Sequence, residues 1–452
     1  MSRGRGVAQP DGRHQMLRKK ALVVLLPLLF MGYLMACGGE ESRPIDGTPT
    51  ARPAFGREAP GWRQVRTDFG VTDSEIKLGQ TNALSGSVSF PQLTTAMRAY
   101  FEKVNREDGG VCGRRIDLVA EDDQFSPTAS LEKARKLVLQ DQVVALVGDV
   151  GTAPVTAQVQ FVNDPNGDGR KDDGVPHLLV ITGASAFNDP DRFPWTSGFN
   201  PSYSIEAPAM ARYIEENSQR LAGKSPTEVR VGVLYQNDDL GGESLAAFRE
   251  AFRGRIVSTQ SYEATAPDIN SQLANLRAAS PDVVVLFSTP RAATLALRYM
   301  KSSGWNVKAV LDYPNGVGSV QGALGQDADA MRGASFSVYM MDPAVDGEKA
   351  PMREHVRIMQ QYGGPPSQTF SVYGQGVAEI MVEILKIACQ RGDMTRKGIM
   401  DAHDQVQGFH PSLAQEGVTV TLGPRDRRAF ESITMIEIQP DGSARVAGTY
   451  GR

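Results

Sequence analysis

The sequence is poor in cysteine, histidine and clustered positive charge, and each shortage excludes a class of protein. Three cysteines in 452 residues exclude a disulfide-dense scaffold. Lys and Arg total 48 against 52 Asp and Glu, a net charge of −4, so we expect no nucleic-acid partner. The five histidines share no metal-ligand spacing, and no serine lies in a GxSxG motif. The sequence therefore predicts a protein that is not an enzyme and needs no catalytic cofactor.

Only one long apolar run is present, which excludes a protein with many membrane spans. It covers Ala21–Met35 after a basic LRKK segment, which is typical of a signal peptide and short for a span of about 20 residues. The run ends in LMAC followed by two glycines, which resembles a bacterial lipobox. We expect a signal peptide over 1–36, starting at Met1 or Met16, and lipidation of Cys37. The alternative is an ordinary secretory signal in which Cys37 has no role.

The expected consequence is an extracytoplasmic protein, periplasmic or on the cell surface, that its N-terminal lipid anchors to the membrane. Residues 37–70 contain four prolines among small and charged residues without periodicity. They are predicted to be a disordered tether.

Strand-like and helix-like patterns alternate from residue 75 onward. The continuous apolar runs Val143–Val147 and Val283–Phe287 are typical of strands buried in a parallel sheet. Other predicted strands are Glu75–Thr81, Arg115–Ala120, His177–Ile181, Val229–Tyr235, Ile256–Ser261 and Ala309–Asp312. Predicted helices are Thr94–Asn105, Thr128–Leu139, Ala153–Phe161 and about 205–218, 241–253, 268–278, 291–303 and 350–391. Repeated βα units predict an α/β protein with two similar lobes.

Small and hydroxyl-bearing residues follow three predicted strands. Ser85 follows the first, Thr152 the third, and Gly183 and Ser185 the fourth. Open parallel sheets bind ligands beyond the carboxyl ends of their strands, and helix N-termini there suit a carboxylate. Each loop alone is better explained as a tight turn, but three at one sheet edge favour a ligand site.

The segment 164–173 has the spacing of a calcium loop. Oxygen ligands are expected from Asp164, Asn166, Asp168, the Arg170 carbonyl and Asp172, but Val175 stands where an EF-hand carries glutamate. We expect a structural Ca²⁺ on the side of the sheet opposite the cleft. The alternative is a polar turn rich in Asp, Asn and Gly.

Several spaced motifs resemble the leucine/isoleucine/valine-binding family of type I periplasmic binding proteins. They include GVTDSEIKLGQTNALSG (70–86), VGDVGT (147–152), VPHLLVITGAS (175–185) and LYQNDDLG (234–241). The resemblance implies a two-lobed clamshell in which each lobe is a mostly parallel sheet flanked by helices, joined by a three-crossing hinge. Lobe 1 would hold 71–203 and 338–430, and lobe 2 would hold 204–337 and 431–452.

The resemblance also implies a ligand site. Thr152, Gly183 and Ser185 match positions that bind the two ends of an amino acid, and Phe90 and Phe370 match aromatic positions lining the cleft. In lobe 2, Leu240 and Thr289 stand where family members often carry tyrosines.

Asn315 stands where amino-acid binders carry an acid that pairs with the ligand ammonium. A buried ammonium needs a compensating charge, so a carboxylate or amide ligand is as well supported as an amino acid. Asp312 or Asp149 could supply the charge from nearby.

With Cys37 lipidated, Cys112 and Cys389 remain in an oxidising compartment. The resemblance assigns both to lobe 1, and we expect a disulfide on its far side. The alternative is two separate buried thiols.

The function implied is that of a monomeric protein that carries a small amino acid, amide or carboxylate to an ABC permease. A sensor that docks on a membrane receptor is the alternative, and an exported enzyme is the least favoured.

Overall fold

The protein is represented by a computed structural model that describes residues 65–451. The predicted signal peptide, the lipidation at Cys37 and the tether as far as residue 64 lie outside the described residues. The end of the predicted tether belongs to the folded body, because Arg66–Thr67 pair with Asp393–Met394 as parallel strands. Within 65–451, no helix has the length and apolarity that crossing a membrane requires.

Fourteen strands and thirteen α-helices make up the described body. The strands are β1 (Arg66–Thr67), β2 (Glu75–Asn82), β3 (Arg115–Asp122), β4 (Ala145–Val147), β5 (His177–Val180), β6 (Thr196–Gly198), β7 (Arg230–Gln236), β8 (Arg255–Tyr262), β9 (Val283–Phe287), β10 (Lys308–Leu311), β11 (Ser335–Val338), β12 (Asp393–Met394), β13 (Ser432–Ile438) and β14 (Ala444–Gly451). The helices are α1 (Pro91–Glu107), α2 (Pro127–Leu139), α3 (Thr152–Asn163), α4 (Tyr203–Glu216), α5 (Ser218–Ala222), α6 (Asp239–Ala251), α7 (Asn270–Ala278), α8 (Pro290–Ser302), α9 (Val317–Leu324), α10 (Pro343–Asp346), α11 (Ala350–Tyr362), α12 (Thr369–Gln390) and α13 (Arg396–His403). Short 3-10 helices cover Ser185–Asn188, Pro226–Glu228, Tyr313–Asn315 and Gly325–Met331.

The first sheet has five parallel strands in the order β3-β2-β4-β5-β6. Its central strand is buried on both faces, as the apolar run predicts. Ala145 and Val147 pack in one core cluster, and Leu146 packs in another with α2 and α3. Alternate side chains of a strand point to opposite faces, so helices must cover both sides of this sheet.

The second sheet has seven strands in the order β14-β13-β11-β10-β9-β7-β8. The strands from β11 to β8 run parallel, whereas β13 pairs antiparallel with both β11 and β14. Residues of β9 alternate between two core clusters, with Val283, Val285 and Phe287 in one and Val284 and Leu286 in the other. The mixed edge forms because the chain returns to this sheet at its C-terminal end.

Each sheet with its helices forms a lobe, called lobe 1 for the five-stranded sheet and lobe 2 for the seven-stranded sheet. Helices α1, α11, α12 and α13 pack together on lobe 1, and α4 packs on β13 and β14 of lobe 2. The chain therefore passes between the lobes three times: after β6, after β11 and before β13. This is the two-lobed α/β architecture that the sequence predicts.

The helical region predicted over about 350–391 is two helices. Gly363 adopts a left-handed conformation (φ +76°) at the end of α11, and Pro365 and Pro366 follow before α12 begins. Glycine tolerates this conformation and proline cannot continue a helix, so the chain must turn there.

Candidate ligand cavity between the lobes

The carboxyl ends of the parallel strands in both lobes face a common cavity. Its volume is about 50 Å³, close to the space of one or two water molecules. The residues that line it are Phe90, Phe125, Val150, Gly151, Thr152, Ile181, Asn200, Tyr203, Gln236, Leu240, Thr289, Tyr313, Pro314, Phe370 and Tyr373. A solute larger than water therefore requires the lobes to separate or the lining side chains to rotate.

Three hydroxyl groups meet on the lobe 1 side of the cavity. Thr152 Oγ1 lies 2.7 Å from Thr182 Oγ1 and 3.0 Å from the Tyr203 hydroxyl. Gly151 holds the turn before α3 at φ +97°, and a Cβ there would lie 2.5 Å from the Phe125 ring. The turn thus places Thr152 at the start of α3, where its hydroxyl and the free helix N–H groups face the cleft.

Aromatic rings form the apolar wall. Phe90 and Phe370 have centroids 4.6 Å apart, and Phe125 and Tyr373 extend the wall at 6.1 Å from Phe90 and 5.7 Å from Phe370. The two aromatic residues predicted to line the cleft thus lie together in the cavity wall.

Two tyrosines fill the centre of the interface. The rings of Tyr203 and Tyr313 are nearly parallel, at 13°, with centroids 6.2 Å apart. A Cβ on Gly183 would lie 2.2 Å from the Tyr313 hydroxyl oxygen and 2.6 Å from the Tyr203 ring. The Gly183 carbonyl accepts a hydrogen bond from the Tyr203 N–H at 2.8 Å. Gly183 is thus adjacent to the cavity but does not line it.

Lobe 2 contributes Leu240 and Thr289 to the lining. Thr289 is the N-cap of α8, and its buried Oγ1 has no hydrogen-bond partner among the described residues. The same is true of the buried hydroxyl of Tyr313. Two unsatisfied hydroxyls therefore face the cavity from the same lobe.

Asn315 lies behind the cavity rather than in its lining. Its side-chain N–H₂ donates to the Ser288 carbonyl at 3.0 Å, to Ser288 Oγ at 3.2 Å and to Asp312 Oδ1. Asp312 in turn accepts from the Ser288 N–H at 3.0 Å. The amide therefore joins the end of β9 to the end of β10, and its predicted contact with a ligand stays a prediction.

Ser85 and Ser185 also lie outside the lining, and both are bonded to carboxylates. Ser85 Oγ donates to Asp122 Oδ2 at 2.6 Å within lobe 1. Ser185 bonds across the lobes: its N–H lies 3.1 Å from Glu243 Oε2, and its hydroxyl donates to Glu243 Oε1. Burial raises the pKa of Glu243. The donors of Ser185 are thus bonded to a carboxylate of the protein itself.

Two buried carboxyl groups lie behind Tyr313. Glu206 Oε1 accepts the Tyr313 N–H at 2.7 Å, and Oε2 has no partner among the described residues. Burial raises the pKa of Glu206 to about 8. Burial, and then the charge of Glu206, raise the pKa of Asp312 well above its usual value. Glu206 therefore favours the neutral form at pH 7.

Asp149, the other residue considered as a charge for the ligand, lies inside lobe 1. It accepts the Thr81 N–H at 2.9 Å and lies 3.2 Å from His177 Nε2, with both side chains fully buried. It is not among the residues that line the cavity.

The oxygens of the predicted calcium loop are bonded within the loop. Asp164 accepts from the N–H groups of Asp168 and Gly169 at 3.1 and 3.0 Å. Asn166 Nδ2 donates to Asp173, and Asp168 accepts from the Arg170 N–H and guanidinium. Among the described residues, no group of three or more His, Cys, Asp or Glu is placed to hold a metal ion. Calcium binding here, Asp172 included, stays a prediction without support.

A larger cavity of about 590 Å³ lies at the rim of the cleft and includes Glu243, Arg192 and Phe187. It is bounded by α3, α6 and the segment 184–193 that follows β5. We place the candidate site in the smaller inner cavity, because residues that follow several strands of both lobes line that cavity.

Sequence reasoning missed the two tyrosines and the two glutamates. Tyr313 follows β10 and Tyr203 opens the segment after β6, so the rule used for the other strand-end loops could have found both. Glu206 and Glu243 lie inside helices, where the sequence carries no sign that Glu206 bonds to the Tyr313 backbone or that Glu243 bonds to the other lobe.

Two lobes of mostly parallel sheet, three crossings and a cavity lined from both lobes define a bilobed solute-binding protein. The sequence profile of the periplasmic binding protein family matches residues 75–443, and the chain belongs to this family. Members bind solutes outside the cytoplasm and use no catalytic cofactor.

Three known proteins are similar to this chain, one in sequence and two in fold. The Leu/Ile/Val-binding protein homolog 7 of Brucella abortus is 24% identical over 323 residues, covering 69% of this chain and 77% of that protein. A Thermus thermophilus branched-chain amino acid ABC transporter structure with bound valine is 17% identical, with a TM-score of 0.72 over 83% of this chain and 96% of that one. A fatty acid ABC transporter substrate-binding protein from Thermomonospora curvata is 21% identical, with a TM-score of 0.72 over 86% and 95%.

Proposed function

We propose that the protein is the solute-binding component of an ABC importer and receives its solute in the inner cavity. The observation that carries the proposal is the cavity itself, which both lobes line at the carboxyl ends of their strands. Open parallel sheets bind ligands at this edge. The relatives named for leucine, isoleucine and valine binding, and the neighbour with bound valine, support a small organic solute.

Closure of the lobes on the solute would present the surface that the permease recognises. A solute that contacts both lobes favours the closed state because it binds that state more tightly. Lipidation of Cys37 would keep the protein at the membrane that carries the permease.

A thermal-shift screen of amino acids, amides, short carboxylates and aromatic acids tests solute binding. A solute at 100 times its Kd adds about 2.7 kcal/mol to the free energy of unfolding, which raises the melting temperature. Stimulation of ATP hydrolysis by the reconstituted transporter then tests import. Binding without stimulation would favour a sensor that docks on a membrane receptor, and turnover of the solute would favour an enzyme.

The Thr152→Val variant, measured in the same screen, tests whether the solute binds in the inner cavity. Losing the hydroxyl should weaken binding by about 1–3 kcal/mol. Thr95→Val is the matched control, because Thr95 also lies in the first turns of a lobe 1 helix but bonds only to the Pro91 carbonyl of that helix. Equal affinities in the two variants would place the solute elsewhere.

A further inference from the structure

Solvent reaches the lining of the inner cavity at three residues. Of the fifteen residues that line the cavity, twelve are buried. The three that are partly exposed are Phe125 and Gly151 of lobe 1 and Pro314 of lobe 2. These three residues mark the mouth of the cavity, where a solute would enter between the lobes.

The Phe125 ring covers the lobe 1 side of this mouth. Its edge lies over Gly151, because a Cβ on that glycine would be 2.5 Å from Phe125 Cε2 and 3.0 Å from Cζ. Gly151 is the N-cap of α3, and Thr152 follows it as the first helical residue. The ring also meets Phe90 edge to face, with centroids 6.1 Å apart. Because the ring is itself partly exposed, it lies between the solvent and the start of α3.

The backbone that carries this ring has an unusual conformation. Gln124 and Phe125 have φ angles of +52° and +60°, in the left-handed region that residues with a Cβ rarely adopt. They are the only two chain neighbours among the described non-glycine residues with positive φ. We call these two residues the gate turn. Contacts outside the turn must hold it, because this conformation is unfavourable by itself.

Two carboxylates hold the gate turn. Asp122 Oδ1 accepts the Gln124 N–H at 3.0 Å, and Asp123 Oδ1 accepts the Phe125 N–H at 2.9 Å. Asp122 also accepts the Ser85 hydroxyl at 2.6 Å, which ties the turn to the segment after β2. Asp123 is fully buried. The backbone of the gate turn is therefore fixed to lobe 1, and the side-chain torsions of Phe125 are the freedom that moves the ring.

We infer that Phe125 is a gate residue, whose ring closes the mouth of the inner cavity and limits the size of the solutes that pass. A cavity of about 50 Å³ admits a solute only if a lining side chain moves or the lobes separate. Among the six aromatic residues of the lining, Phe125 alone is partly exposed, so it alone can rotate outward into solvent. The inference rests on the proposed function, because it concerns entry into the same cavity.

Thiol labelling measures entry into the cavity without any solute. The parent protein carries Thr152→Cys, a change of similar size at a lining position that is 3% exposed. Methyl methanethiosulfonate modifies accessible thiols, and peptide mass spectrometry measures the label at position 152 separately from that at Cys37. We expect Phe125→Ala in this parent to raise the labelling rate more than three-fold. The rate with the bulkier benzyl methanethiosulfonate should rise by a larger factor.

Tyr100→Ala is the matched control in the same parent. Tyr100 is also a partly exposed aromatic residue packed on the lobe 1 core, but it does not line the cavity. Phe125→Leu keeps an apolar side chain at the gate and should give a rate between those of the parent and Phe125→Ala. It also provides the test if Phe125→Ala does not fold.

A labelling rate within three-fold of the parent, or a rise that Tyr100→Ala matches, would overturn the inference. An equal gain for the two reagents would overturn the size limit. The proposed function fails separately. A solute that binds while labelling is unchanged would reject only the gate, and labelling that depends on Phe125 without any solute binding would reject only the proposed function.

Discussion

Gly183 shows how a single atom decides the shape of the interface. The Tyr313 hydroxyl reaches across from lobe 2 into the space that a Cβ on Gly183 would occupy. The family resemblance assigns Gly183 a contact with the ligand, whereas in the structure the absence of its side chain makes room for a tyrosine. The closed interface thus depends on having glycine at this position.

We predict that Gly183→Ala lowers the free energy of unfolding by about 1–3 kcal/mol, the usual effect of overpacking. Adding Tyr313→Phe should restore part of the loss, because it removes the atom 2.2 Å from the new Cβ. Gly322→Ala in α9 is the control, since nothing lies within 4 Å of its Cβ position. Chemical denaturation measures the free energy of unfolding of all three variants. A Gly183→Ala variant as stable as the wild type would refute the close contact.

Glu206 makes stability depend on pH. Its pKa is raised to about 8 by burial, so between about pH 4.5 and 8 the folded protein holds a proton that the unfolded chain releases. Stability should therefore fall as pH rises through this window, by up to about 1.4 kcal/mol per pH unit for this group.

Glu206→Gln should make the pH dependence of the melting temperature shallower between pH 5 and 8. Some dependence should remain, because the pKa of Asp312 is also raised. Exposed Glu250→Gln serves as the control and should leave the slope unchanged. A Glu206→Gln slope equal to that of the wild type would show that Glu206 is ionised in the folded protein.

At the scale of elements, strands and helices with strong local patterns were predictable, and those defined by distant contacts were not. The apolar run before residue 148 predicts β4 because burial on both faces leaves no polar position. The short strand β6 has no such pattern and is a strand because it pairs with β5. Edge strand β14 shows only a weak alternation of buried and exposed residues, because one of its sides faces solvent.

The residues of the cavity also divide into those that local patterns predict and those defined by distant contacts. Thr152 could be predicted because it opens a helix directly after a strand, and Phe90 and Phe370 because the family resemblance implies aromatic residues at these positions. The contact of Ser185 with Glu243 could not, because it depends on how two separately folded lobes meet. The amide of Asn315 lies against Ser288 and Asp312 within lobe 2, an arrangement that the sequence does not indicate, and its contact with a ligand stays a prediction.

The disulfide predicted between Cys112 and Cys389 is present, with 6.0 Å between the Cα atoms. It joins the segment between α1 and β3 to the end of α12, both in lobe 1, and neither cysteine lines the cavity. Replacing both cysteines by serine should lower the free energy of unfolding by about 2–4 kcal/mol and leave solute affinity unchanged. Denaturation and titration of the same preparation check both statements, and a change in affinity would mean that the bond constrains the cleft.

At the scale of the whole molecule, the Ser185–Glu243 contact holds the lobes together beside the cavity. Glu243→Ala removes the carboxylate that accepts the N–H and hydroxyl of Ser185. Losing about 1–2 kcal/mol from the closed state shifts the equilibrium toward the open state roughly ten-fold.

We therefore expect Glu243→Ala to increase the radius of gyration in small-angle scattering without solute and to weaken solute binding. Glu250→Ala on the exposed face of the same helix should change neither quantity. If both variants scatter like the wild type, the contact does not hold the lobes closed.

Hydrogen–deuterium exchange tests most directly the central claim, that one solute is held between the two lobes. The protein is compared with and without the solute that gives the largest thermal shift. We predict slower exchange at residues 150–153 of lobe 1 and at 289–293 and 313–316 of lobe 2 in the same experiment. Protection confined to one lobe, or found only around the 164–173 loop, would contradict the account.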